Sequence, residues 1–592
     1  MSKGVTITLL LLLATSRLFF QPLYSLISDC DETFNYWEPL NLLVNGFGKQ
    51  TWEYSPEYAI RSWAFLSPFA FILKPFNWIF PQLDNVWSFY LVRFTLGLVS
   101  FIWEYLLHLE IATSLSPTSA NIWLLFQVFN PGWFHASVEL LPSSVAMLLY
   151  LISIKYAINY LSRDNYSSFL KSLGTNFLAG LLGWPFVLIQ SLPLCLHYFF
   201  NHNIMWTLRT AFDSTVLFIT VAIPIISFDS ILYGKFAPVS WNILFYNVLN
   251  ASDESGPNIF GVEPWYYYIQ NIILNFPLPM ILFSLIGLIN WKLWPLWLTL
   301  ISWVLIFIAQ PHKEERFLYP IYPLITLSAT VGFHKLTILF NCKNHHNNKN
   351  RFLKLIFTFV SSLFIILQSI SRIVALILNY TAPLSVYFQL STTEINPTNI
   401  IQNVCTGREW YHYPTSFFLP DNMRLKFIKS GFNGLLPGDF IENTSIVNQI
   451  RTIPQNMNNM NLFESDKIIP VEHCNYFIDI MQPIDINQDS MDPFDLQENT
   501  DWKTIKCSKF IDVDNSKILG RTFYLPQCIT NIFDKFLPEN KYWKKIYGTK
   551  YFNYCLFEKI EGQSISDSSL IESLTSKINE NEAQEININD EL

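Results

Sequence analysis

Nine long apolar runs crowd the first 380 residues, at about 5–27, 88–112, 119–134, 137–160, 206–230, 268–290, 292–310, 317–340 and 354–380. A helix needs about 20 apolar residues to cross roughly 30 Å of hydrocarbon, and lipid tolerates no irregular backbone against it. A chain patterned this way has one class of solution, a polytopic bundle of membrane helices. Composition agrees: 14% of the 592 residues are charged and 51% are hydrophobic, where soluble domains carry about 25% charged residues. A net charge of −8 gives no basic surface for nucleic acid. The first run is long and lacks a small-residue cleavage site, so it reads as an uncleaved anchor. Arg17 inside it would cost about 3 kcal/mol at the bilayer centre. It is therefore expected to face other helices or to snorkel.

Loop charge sets the orientation. Residues 334–354 hold five Lys/Arg and no acid, the mark of a cytoplasmic loop. Counting back through the spans places "QPHKEERF" (310–317), the 231–267 loop and the acidic stretch 28–63 on the opposite, luminal side. The parity closes if residues 173–200 form a hairpin broken at Trp184–Pro185, since proline interrupts a helix interior. That gives about eleven crossings. A first luminal loop is expected over 28–87.

Beyond residue 380 the texture changes to short alternating runs with Pro, Gly and Asn between them. A luminal mixed α/β domain is expected over 381–561. Cys405, Cys474, Cys507, Cys528 and Cys555 join Cys30 on the oxidising side, and their pairing is open among the possibilities. Sequons at Asn250, Asn379 and Asn443 permit glycans. Residues 562–592 hold seven acids and one lysine, read as a disordered tail whose ending, "NDEL", resembles a retrieval address.

Three luminal clusters carry candidate chemistry. The first, "SDCDETFNYWEPL" (28–40), continues into "QTWEYSPEYAIRSWAF" (50–65). The second, "FNPGWFHASVELLPSS" (129–144), sets His135 and Glu139 one helical turn apart; lacking a third ligand, it reads as helix packing. The third is "HKEERFLYP" (312–320). Carboxylates beside aromatic rings suit sugars, and Arg61, Lys313 and Arg316 suit a phosphate. Together at a bilayer surface they suit transfer of a sugar from a lipid phosphate. One carboxylate takes the proton of the attacking hydroxyl, and the cations meet the departing charge. Asp29-Cys30-Asp31 also fits a D-x-D metal pattern. A lipid monophosphate leaving group needs less cationic help than a nucleotide diphosphate, so no metal is expected. Composition alone favours reading these acids as solvated loop ends. A polar-lipid transporter is the rival class, but the charges gather at one face of the membrane, as an enzyme's would.

"DCDETFNYWEPL", "TWEYSPEYAIRSWAF" and "HKEERFLYPIYPL" closely resemble the dolichyl-phosphate-mannose-dependent mannosyltransferases of the endoplasmic reticulum. The likeness is strongest to their alpha-1,2 branch serving asparagine-linked glycosylation. It extends through "GLLGWPF", "EPWYYYIQN" and "GREWYHYPTSFFLP", nearly the whole chain apart from the tail. The resemblance implies a GT-C fold in an endoplasmic reticulum membrane, with residues 1–380 catalytic. It implies dolichyl phosphate mannose as donor and a dolichyl-pyrophosphate-linked oligosaccharide as acceptor, at the six- and eight-mannose stages, with inversion. Relatives acting on the glycosylphosphatidylinositol precursor share the acidic loop and offer the alternative acceptor. Carried over by position, Asp31 and Glu32 are the candidate bases, with Asp29 behind them. Arg61, Lys313 and Arg316 are candidates for the phosphate, and His312, Glu314 and Glu315 complete that motif. Trp37, Glu38, Trp52 and Tyr54 would line the acceptor sugars.

Overall fold

The computed structural model describes residues 3–251, 256–342, 348–392, 400–536 and 545–560; the acidic tail and its "NDEL" ending lie outside them. Among the described residues six helices are long and apolar enough to cross a membrane. They are Lys3–Tyr24, Val86–Ser114, Pro142–Arg163, Ile204–Tyr233, Trp291–Ala309 and Arg351–Tyr380. Tyr267–Asn275 and Leu278–Gly287 make a possible seventh span, bent by 110° where Pro277 cannot continue the helix.

The multi-span architecture stands, but these six or seven are fewer than the eleven crossings expected, because several apolar runs fold in shorter pieces. The run near 119–134 breaks at Asn130 into Pro117–Val128 and Pro131–Ala136. The 173–200 region does break at Trp184–Pro185: Tyr166–Leu181 ends there, a 3₁₀ turn Pro185–Ser191 follows, then Leu192–Asn201. Gly183 makes that break with φ +146°, a conformation side chains resist. The first loop is shorter than expected, since Trp63–Ile79 is a 17-residue apolar helix. Pro68 and Pro75 inside it had disguised the run.

Arg17 faces other helices. It holds Glu104 through two bonds of 2.7 and 2.9 Å and donates to the Gln127 carbonyl at 2.9 Å. Ser100 and Gln127 donate to the same carboxylate, so neither buried charge is left unpaired. The acid Glu104 therefore lies within the span Val86–Ser114, away from the face where the other charges gather. Gly97 permits the approach, because a Cβ there would lie 2.0 Å from the Arg17 carbonyl oxygen.

The C-terminal region is built on strands β2 (Gln402–Thr406), β3 (Met423–Phe427), β5 (Tyr476–Ile480), β6 (Trp502–Ile511) and β7 (Tyr551–Lys559), in the order β3-β2-β5-β7-β6. The first three run parallel; β7 joins β5 and β6 antiparallel. Central β5 is buried at every position, whereas β3 alternates inward and half-exposed residues. The disulfide Cys507–Cys555 staples β6 to β7, and Cys405–Cys474 ties β2 to the turn that leads into β5. Cys30 and Cys528, expected among the bridged set, are free. A small pair, β1 (Lys49–Gln50) and β4 (Gly438–Asp439), fastens the first loop to this region. The Asn379 sequon closes as a glycan site: its side chain is buried, donating to Arg521 and accepting from Tyr551.

Candidate active site

The acidic stretch starts as a short helix, Cys30–Glu32, capped by Asp29, whose carboxylate accepts from the Asp31 amide at 2.9 Å. A π turn, Thr33–Trp37, follows before helix Glu38–Asn45. Such wide turns frequently mark functional sites. Here it sets Trp37 beside Glu32, five residues back, so that the indole N–H donates to the carboxylate at 2.8 Å.

The acids divide into two sets. Asp29 and Asp31 turn outward to cations carried by distant segments. Arg316 reaches Asp31 at 2.6 Å and Asp29 at 3.1 Å, and it also pairs with Glu314. Arg61 lies 3.5 Å from Asp31, held by two bonds to Glu53 at 2.8 and 2.9 Å and one to the Tyr36 hydroxyl at 3.0 Å. The Asp31 side chain stays 33% exposed. Burial pushes its carboxyl up, but Arg316 and Arg61 outweigh burial and hold it below its ordinary value. For Asp29 burial wins over Arg316, and the carboxyl rises to about 7. Asp29, Cys30 and Asp31 present ligand atoms within 4.8 Å of one another, while Arg316 pairs with both carboxylates and Arg61 with that of Asp31.

Glu32 and Glu38 turn inward. Glu32 is fully buried, accepting from Trp37 and from the Leu140 amide at 2.9 Å, with its second oxygen unpartnered. Burial raises its carboxyl despite Arg93. Glu38 is also fully buried and accepts from the amides of Lys49 (2.9 Å) and Ser416 (2.6 Å) and the hydroxyls of Ser416 (2.7 Å) and Thr415 (3.1 Å). It ties the first loop to the segment after β2. The sugar-lining set moves with it: Trp37 packs between Phe89 and Phe417, Tyr54 spends its hydroxyl on the Asn35 carbonyl, and Trp52 packs on Tyr58 and Tyr246. All three rings are buried and leave almost no surface for a pyranose.

The 312–316 motif divides likewise. Arg316 joins the acids. Lys313, expected to meet phosphate, is buried and donates instead to the backbone carbonyls of Glu263 (2.9 Å) and Gln310, closing its own turn. His312 bridges Gly261 and Glu314. Glu315 accepts from Asn275 at 2.8 Å and pairs with His135 at 3.1 Å. Burial pulls the His135 imidazole down, but Glu315 outweighs it and raises the group. Glu139 accepts from Ser28 at 2.9 Å, and burial takes it to about 7. The 129–144 cluster, read as helix packing, therefore walls the acidic site. Arg93, outside the three sequence clusters, holds the Ser25 and Leu26 carbonyls behind Glu32. Its signal was present: a lone arginine in an apolar run is expensive and marks a polar partner.

Residues 8–420 match the model of the Alg9-like mannosyltransferase family. The chain is 59% identical over 558 residues to the alpha-1,2-mannosyltransferase ALG9 of Saccharomyces cerevisiae, covering 94% of this chain and 98% of that one. It is 35% identical over 532 residues to the Schizosaccharomyces pombe alpha-1,2-mannosyltransferase alg9, covering 85% and 89%. Among solved structures it is similar to ArnT from Cupriavidus metallidurans bound to undecaprenyl phosphate. The TM-score is 0.50 at 10% identity, over 72% of this chain and 86% of that one. This last likeness concerns the fold alone and is of the GT-C type.

Proposed function

The chain belongs to the Alg9-like mannosyltransferase family and is an alpha-1,2-mannosyltransferase, and from that premise we propose that it takes mannose from dolichyl phosphate mannose and transfers it, with inversion, to a dolichyl-pyrophosphate-linked oligosaccharide. Residues 1–380 form the catalytic region in the endoplasmic reticulum membrane, crossing about eleven times once the shorter helices are included. Residues 381–561 stand in the lumen on the same side as the acidic site.

One observation carries this reading. Arg316 of "HKEERFLYP" closes on Asp29 and Asp31 of "DCDETFNYWEPL", with Arg61 of "TWEYSPEYAIRSWAF" alongside. Three separate sequence motifs thereby meet at one partly open point. Asp31 is the base. In the empty site its charge is taken up by two guanidinium groups. A donor phosphate is a stronger anion and competes for both, freeing the carboxylate as substrate binds. Asp31 then accepts the proton of the acceptor hydroxyl attacking the anomeric carbon. Arg316 and Arg61 stabilise charge on the departing phosphate. The donor's mannose is beta-linked, so a single displacement gives the alpha product. Activity is expected to survive chelation by EDTA.

The test is the lipid-linked oligosaccharide profile of cells lacking the protein. Arrest at the six-mannose stage supports the reading. A normal profile with a defect confined to glycosylphosphatidylinositol precursors would move the enzyme to the other acceptor and overturn it.

A further inference from the structure

A cavity of about 290 Å³ opens beside the acidic loop, between the segment leaving the first span, the end of helix Arg351–Tyr380 and the C-terminal sheet. Its walls include Leu26, Ile27, Leu376, Leu384 and Phe510. One cation enters it, Arg372. This arginine donates from one terminal nitrogen to the Thr522 carbonyl at 3.3 Å, while its buried Nε has no hydrogen-bond partner. A charged residue within a span is costly and needs a compensating partner, and a buried guanidinium donor left unpaired adds to that cost. No acid makes salt-bridge contact with Arg372 among the described residues, although Glu315 acts on it electrostatically from farther off. Arg316 and Arg61, by contrast, are engaged by carboxylates and meet the same phosphate only by giving these up.

We infer that this cavity seats the phosphate end of the prenyl-linked sugar donor, with Arg372 binding the phosphate and the apolar wall taking the first isoprene units. The inference rests on the lipid-donor reading above. Shape and chemistry fit together: apolar walls continuous with membrane helices, a single under-satisfied fork of donors, and a polar rim at Ser28, the residue before Asp29. The donor is favoured over the acceptor for a chemical reason. A donor phosphate is bonded directly to the mannose that must reach Asp31. The acceptor pyrophosphate lies several sugars away from the attacking hydroxyl and has no need to sit beside the acids. Arg372 is a binding residue here, and the base is unchanged.

The experiment uses the full-length enzyme in detergent, phytanyl phosphate mannose as donor, and phytanyl phosphate and phytanyl pyrophosphate as inhibitors. Arg372→Ala should raise the donor KM and the phytanyl phosphate inhibition constant by about tenfold to a hundredfold, the scale of one charge-assisted hydrogen bond. Its kcat should stay within a few-fold of wild type. Arg372→Lys should recover part of the loss, because it keeps the charge without the planar fork. Leu376→Trp, which narrows the cavity one helical turn from the arginine and keeps its charge, should raise the same KM and covers the case in which Arg372→Ala fails to fold. Unchanged donor KM in Arg372→Lys and Leu376→Trp overturns the inference, as does a loss confined to phytanyl pyrophosphate. Failure of the wild-type enzyme to use any prenyl phosphate mannose would instead sink the donor reading itself, before any variant is made.

Discussion

Asp29 and Asp31 lie within nine residues of Glu32 and Glu38, in one loop, yet the two sets are treated oppositely. The aspartates face a partly open cleft and are met by side-chain cations from residues 61 and 316. The glutamates are fully buried and met by an indole, hydroxyls and backbone amides from residues 37, 49, 140, 415 and 416. Neutral donors fixed in place hold a charge without exposing it, which makes a structural clamp. Ionic side-chain partners at a partly open cleft hold a charge that a substrate can take over. The difference lies in the partners and not in the acids.

Substitutions that keep shape and remove charge break this comparison most directly. Asp31→Asn should lower kcat by at least about a hundredfold, the usual worth of a general base, with protein abundance unchanged; near-wild-type turnover would remove Asp31 from the chemistry. Glu38→Gln should do the reverse. It leaves a buried donor facing donors, at a cost on the order of 2–3 kcal/mol, so the thermal midpoint falls while the folded fraction keeps its kcat. A variant with intact stability and lost turnover would return Glu38 to the acceptor site.

Smaller effects sharpen the division. Asp29 sits at about 7, raised, so it is protonated below neutral pH and ionised above. An ionised Asp29 favours positive charge developing at the anomeric carbon. Rate should therefore climb a few-fold as pH rises through about 7. In Asp29→Asn that rise should vanish, whereas Glu139→Gln should keep it; a profile unchanged in Asp29→Asn would assign the inflection elsewhere. The smallest effect is expected from Glu32→Gln. Both of its hydrogen bonds end on one oxygen, which the amide can reproduce, so turnover should stay within about threefold. Collapse of activity there would make Glu32 the base after all.

Much of this was legible in the sequence. Apolar run length specified a helical membrane protein, and loop charge placed the acidic stretch and "HKEER" on one face. The Trp184–Pro185 break was visible because proline acts locally. Trp63–Ile79 was missed because two prolines obscured a run that tertiary packing keeps helical. That Lys313 turns to the carbonyls of Glu263 and Gln310 was not legible, because a lysine that closes its own turn and a lysine that awaits phosphate look alike in sequence. Arg93 and Arg372 were visible only as anomalies, charges in apolar surroundings whose partners lie far along the chain.

The sequence by itself determined the solvent this chain folds in, the class of its chemistry and the motifs that carry it, since hydropathy and residue type are local properties. Only the tertiary structure decided which acids of "DCDETFNYWEPL" are buried and which stand in a partly open cleft. That choice rests on contacts spanning 108 residues for Glu32, 285 for Asp31 and 378 for Glu38. A π turn then aims the carboxylates, and burial decides which of them water and substrate can reach.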